Sequence, residues 1–106
     1  MKLNWIAPAL LALAAGAASA QTSSSPEALY LRSLAATCAN CHGTDGRAVN
    51  GSAVPAIAGL PRAYMIEQMK AFKNGQRQAT VMHQLAKGYS DAQIEQIATY
   101  FSSMKK

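Results

Sequence analysis

Apolar side chains recur at helical spacing in three stretches of the chain, and long irregular segments separate them. Ser25-Pro26-Glu27 reads as a helix start: Ser caps free amides, Pro suits the first helical position and Glu faces the positive helix end. Leu29, Leu31, Leu34 and Ala35 then fall mostly on one side, which predicts a helix over 26–37 that delivers Cys38. Pro61 opens a second helix and Gly75 closes it after Asn74, with Tyr64, Met65, Ile66, Met69 and Phe72 as its apolar set. Ser90-Asp91-Ala92-Gln93 is a capping box, and Ile94, Ile97, Ala98, Phe101 and Met104 follow at helical spacing, so a terminal helix is expected over 91–104. No alternating strand pattern competes and no internal repeat is visible, so the fold class is all-α.

Between these helices lie two segments without a period. Gly43 to Gly59 is rich in Gly, Ser, Asn and small residues around Pro55, and Gln76 to Gly88 carries Met82 and His83. Loops of that length in a small domain usually wrap around something.

The opening residues 1–20 have one basic side chain, an apolar run from Ile6 to Ala18 and an Ala18-Ser19-Ala20 end, the pattern of a cleaved secretory signal peptide. The run is shorter than the ~20 residues a spanning helix needs, so no membrane span is expected in the mature chain. Residues 21–25 form a polar lead-in, and 26–106 a single small domain destined for the periplasm. A domain this short has a thin core and normally needs a staple. Cys38 and Cys41 would close too small a disulfide loop to organise a fold, which makes a cofactor the better candidate. The formal net charge is +5, to which the leader contributes Lys2. An exported chain with no basic run longer than Lys105-Lys106 is not a nucleic-acid binder; a mild positive balance fits an acidic docking partner.

Cys38-Ala39-Asn40-Cys41-His42 is C-x-x-C-H, the attachment signature of a c-type haem. Two thiols one helical turn apart can each add to a vinyl group on the haem edge, and the adjacent His42 can present a ring nitrogen to the iron. A thioredoxin-like pair would sit in a βαβ context, and a zinc site would need more ligands than His83 can add; neither context is present. A buried porphyrin, contributing roughly 25 cal/mol per Å² of apolar area, also supplies the missing core.

Met82, in the segment before the terminal helix, is the expected ligand on the opposite iron face, because a thioether favours the ferrous state. His83 is its rival. Met65 and Met69 are spaced for core packing, and Met104 sits beside the charged tail. A carbonyl near Pro55 could accept a hydrogen bond from the second His42 nitrogen; the alternative is that Pro55 only stiffens the loop.

With CANCHGTDG, the Pro55 loop, Met82 and the IATYF helix in place, the mature chain resembles small bacterial class I cytochromes c. LRSLAATCANCHGTDG and AIAGLPRAYMIEQMKAFKNGQRQATVMHQLAKGYSDAQIEQIATYF are more narrowly similar to the haem subunit of flavocytochrome c sulfide dehydrogenases. The resemblance implies one haem on Cys38 and Cys41, axial ligands His42 and Met82, Pro55 as the carbonyl-bearing proline, and three to four helices around the haem. It also implies a periplasmic FAD-containing partner that oxidises sulfide. Two departures stand out. Residues 26–37 lack the glycine many relatives place where first and last helices cross, so Leu34 and Phe101 are expected to pack there. The mature chain also lacks tryptophan, leaving Tyr64, Tyr89, Arg47 or Arg62 for the haem propionates.

Three functions follow: an electron carrier docking through Lys70, Lys73, Arg77 and Lys87, a haem enzyme or gas sensor with an open iron, and a thiol-disulfide exchanger. The carrier is either a free shuttle or an enzyme subunit, and needs no catalytic acid, base or nucleophile of its own.

Overall fold

A computed structural model describes residues 24–106, and those residues form helices and turns without strands. Helix α1 spans Pro26–His42 and starts as the sequence predicts, with the Ser25 side chain accepting from the Ala28 N–H at 3.1 Å. It does not stop at residue 37. Ala-rich helix formers carry it through both cysteines, and it ends where Gly43 takes φ 88 and returns its N–H to the Ala39 carbonyl.

A 3-10 turn, Thr44–Gly46, leads into the first long loop; helix α2 follows over Arg62–Lys73. The second segment, expected to be irregular, contains a four-residue helix α3, Met82–Leu85, continued by a 3-10 turn at Ala86–Gly88. Helix α4, Asp91–Ser102, carries the predicted capping box: Ser90 Oγ accepts from Gln93 N–H at 3.1 Å and Gln93 Oε1 accepts from Ser90 N–H at 3.0 Å. It closes two residues before Met104, which hangs in the tail.

Helix α4 packs on both α1 and α2. Ala35, Met65, Ile97, Ala98 and Phe101 form the buried cluster, with Leu34, Cys38, Ile57, Leu60, Ile66, Tyr89 and Tyr100 around it. Both residues expected at the crossing of first and last helices are found there, Phe101 inside the buried cluster and Leu34 packed against it. Ala35 (2 % exposed) enters the cluster with Ala98 (1 %) and Phe101 (0 %), while Leu34 lies at its edge. Ala35 on α1 and Ala98 on α4 are small enough to let the two helices approach closely. Leu29, counted with the inward face, is 56 % exposed. None of the described helices is long and apolar enough to cross a membrane. The leader and most of the lead-in lie outside the described residues.

Candidate haem site

Cys38 and Cys41 occupy the last turns of α1, three residues apart and so on neighbouring positions of one helix face. Both are free thiols; Cys38 is half-buried against the core and Cys41 is exposed. Burial pushes the Cys38 thiol above its usual range, opposed by a hydrogen bond from Thr37. The Thr37 hydroxyl also meets Tyr89 Oη at 2.6 Å, tying the cysteine turn to the segment before α4.

His42 ends α1, and its Nδ1 lies 2.6 Å from the Pro55 carbonyl oxygen. A carbonyl can only accept, so Nδ1 carries the proton and Nε2 keeps the lone pair. The loop that brings Pro55 there is fastened by backbone bonds. The Gly46 carbonyl accepts from Ile57 N–H at 2.8 Å and Ala58 N–H at 3.0 Å, and Gly59 N–H donates to the Phe101 carbonyl at 2.8 Å. Gly43 must be glycine: a Cβ built there would lie 2.0 Å from the Arg47 carbonyl oxygen, at φ +88.

Met82 opens α3, which packs against α2, and both Met82 and His83 are half-buried. His83 Nδ1 is the one buried side-chain nitrogen or oxygen among the described residues that has no hydrogen-bond partner. Among those residues no group of three or more His, Cys, Asp or Glu could hold a metal ion by itself. Two adjacent thiols, an imidazole with Nε2 free and a polar orphan beside a methionine fit a covalently bound haem, and the tetrahedral zinc alternative has no ligand set.

Three of the four residues offered for the propionates are engaged elsewhere. Tyr89 bonds Thr37; Arg47 Nε donates to the Lys105 carbonyl at 2.9 Å; Arg62 Nε donates to Thr99 Oγ1 at 2.8 Å and pairs with Glu95 at 3.3 Å. Tyr64 is exposed and makes no such bond. The proposed docking cations are also partly neutralised. Lys73 and Lys70 lie 3.0 and 3.8 Å from Asp91, and Arg77 covers the Phe72 ring at 4.7 Å. Sequence reasoning passed over Asp45, Gly46 and Tyr100, which hold the loop; the Asp-Gly pair was the available turn signal.

The cytochrome c family profile matches residues 31–105. Over 73 residues the chain is 44 % identical to the cytochrome subunit of sulfide dehydrogenase from Chlorobaculum tepidum, covering 69 % of this chain and 64 % of that protein. It is 41 % identical over 71 residues to a thiosulfate dehydrogenase electron acceptor of Thiomonas intermedia, covering 67 % of this chain and 33 % of that one. A solved cytochrome c4 of Acidithiobacillus ferrooxidans superposes with TM-score 0.59 at 40 % identity, over 63 % of this chain and 38 % of its own. The chain thus spans less than two thirds of the length of each of these relatives. Fold, motif and relatives agree: the chain belongs to the cytochrome c family, whose fold is built around a covalently attached c-type haem.

Proposed function

We propose that this is a periplasmic one-electron carrier whose iron is held between His42 and Met82, and that it receives electrons from a sulfide-oxidising flavoprotein. The observation that carries the ligand assignment is the 2.6 Å contact between His42 Nδ1 and the Pro55 carbonyl, which orients the ring and reserves Nε2. When bound, the haem supplies a ferric/ferrous couple that takes up and releases one electron. Cys38 and Cys41 would hold it to α1 through two thioether links, each thiol adding its S–H across one vinyl group. Met82 would supply a soft sulfur that favours the ferrous form, and Ala35, Met65, Ile97, Ala98 and Phe101 form the buried apolar core against which Cys38 packs. With His42 and Met82 both holding the iron, the chain would need no rearrangement and no proton transfer of its own.

The partner assignment is supported by the relative from Chlorobaculum tepidum, itself named a sulfide dehydrogenase subunit. A second reading, a diffusible shuttle for another dehydrogenase, is favoured by the similarity to the thiosulfate dehydrogenase electron acceptor. Residues 1–20 are the export leader, 21–25 the lead-in and 26–106 the haem domain.

Co-purification from periplasm separates these readings. A flavoprotein that binds the cytochrome and reduces it on sulfide addition supports the subunit reading; reduction by a thiosulfate-oxidising fraction without complex formation supports the shuttle. Ready carbon monoxide binding by the ferrous wild type at neutral pH would displace both in favour of an open iron site. The N-terminus of the exported protein should be Gln21.

A further inference from the structure

Asp45 is the one residue other than glycine with a left-handed backbone among the described residues, at φ 54. A Cβ-bearing residue stays in that region only when its surroundings hold it there. Tyr100 of α4 does so: its hydroxyl donates to Asp45 Oδ1 at 3.0 Å, while its ring stands edge-on to Phe101, centroids 5.1 Å apart. Arg47 adds a second tie, reaching Asp45 Oδ2 at 3.5 Å and the Lys105 carbonyl at 2.9 Å.

Asp45 sets the place of Gly46, and Gly46 sets the loop. Gly46 is buried, and a Cβ on it would come within 2.8 Å of Ala58 N, Ile57 Cγ1 and Phe101 Cδ1, so the loop and α4 both converge on this one residue. Its carbonyl takes the N–H groups of Ile57 and Ala58. Two residues before Ile57 stands Pro55, whose carbonyl receives His42 Nδ1–H. Beside the Gly59 N–H bond to the Phe101 carbonyl, this path from α4 starts at the Tyr100–Asp45 hydrogen bond, runs through backbone to the Pro55 carbonyl and ends on His42 Nδ1–H.

From this we infer that Tyr100 is a positioning residue for His42, acting through Asp45, Gly46 and the loop to hold the Pro55 carbonyl against Nδ1. The inference rests on His42 being an iron ligand. A firm acceptor on Nδ1–H makes the imidazole electron-rich and stabilises ferric iron, so loosening it favours the ferrous form.

The test uses the haem-loaded protein and three variants. Tyr100→Phe keeps the ring and removes the donor; Asp45→Asn keeps an acceptor and tolerates the left-handed backbone; Asp45→Ala removes both ties. Redox titration against a fixed mediator and the exchange rate of the His42 Nδ1 proton by NMR are the readouts. Tyr100→Phe should shift the redox equilibrium several-fold toward the ferrous form and speed that exchange. Asp45→Ala should do more, and Asp45→Asn should stay near wild type. If Tyr100→Phe melts at a lower temperature while equilibrium and exchange stay unmoved, Tyr100 is merely structural and the inference is overturned. If the wild-type protein itself shows no iron-shifted His42 ring resonances, the ligand reading fails first and the inference falls with it.

Discussion

His42 Nδ1 donates to the main-chain carbonyl of Pro55 across 2.6 Å. The acceptor is backbone, so residue 55 contributes geometry rather than a side-chain group. Pro55→Gly keeps the carbonyl and frees the chain, and is expected to cost about 1 kcal/mol in denaturant unfolding. The His42 Nδ1 proton should also exchange faster, measured by NMR. Pro55→Ala should fall between the two.

Glycines divide sharply by what surrounds them. Gly43→Ala drives a methyl into the Arg47 carbonyl, 2.0 Å away, at a φ of +88. Backbone must move, and a loss of more than about 3 kcal/mol or failure to accumulate haem-bearing protein is expected. Gly88 has nothing within 4 Å of an added Cβ and no left-handed φ. Gly88→Ala should stay within about 0.5 kcal/mol of wild type in thermal melts.

Helix α4 is the keystone of the packing, touching α1, α2 and the Gly59 end of the loop. Phe101→Ala removes the largest fully buried side chain and should cost about 3–5 kcal/mol, enough to unfold much of so small a domain. Ser90→Ala removes one half of the capping box and should cost about 1 kcal/mol. Equilibrium unfolding followed by far-ultraviolet dichroism measures both.

Two titrations bound the stability profile. Burial, reinforced by its bond to the Asp45 carboxylate, pushes the Tyr100 phenol above its usual value of 10.0. Its folded pKa exceeds the unfolded one, so its contribution is complete below about pH 10 and is lost as pH climbs through the folded value. Asp91 is the opposite case: the hydrogen bond and charge of Lys73, helped by Lys70, hold it below 3.8. Its contribution is present above that pH and disappears as pH falls through the lower folded value. Tyr100→Phe should flatten the alkaline limb of stability against pH, and Asp91→Asn the acid limb.

Much of the fold was legible because local signals mark the helices. Ser25-Pro26, Pro61, the Gly75 stop and the Ser90–Gln93 box placed three starts and one stop within a residue or so. The end of α1 was misread because apolar spacing lapses at Cys-Ala-Asn-Cys-His, where helix propensity and the Gly43 stop carry it on. Helix α3 was invisible: four residues with no side-chain cap are too short to show a period. At the site, the motif named Cys38, Cys41 and His42, since their chemistry depends on neighbours in sequence. What holds the loop did not show, because Tyr100 meets Asp45 and Gly59 meets Phe101 through pairings that no local pattern records.

The most direct test of the account is the mass of the exported protein under denaturing conditions. Addition of two thiols across two vinyl groups loses no atoms, so the account predicts the mass of the processed polypeptide plus one intact haem. That haem should resist solvent extraction and be absent from a Cys38→Ala/Cys41→Ala variant. A wild-type protein with the bare polypeptide mass, compact and colourless after maturation in a competent host, would contradict it.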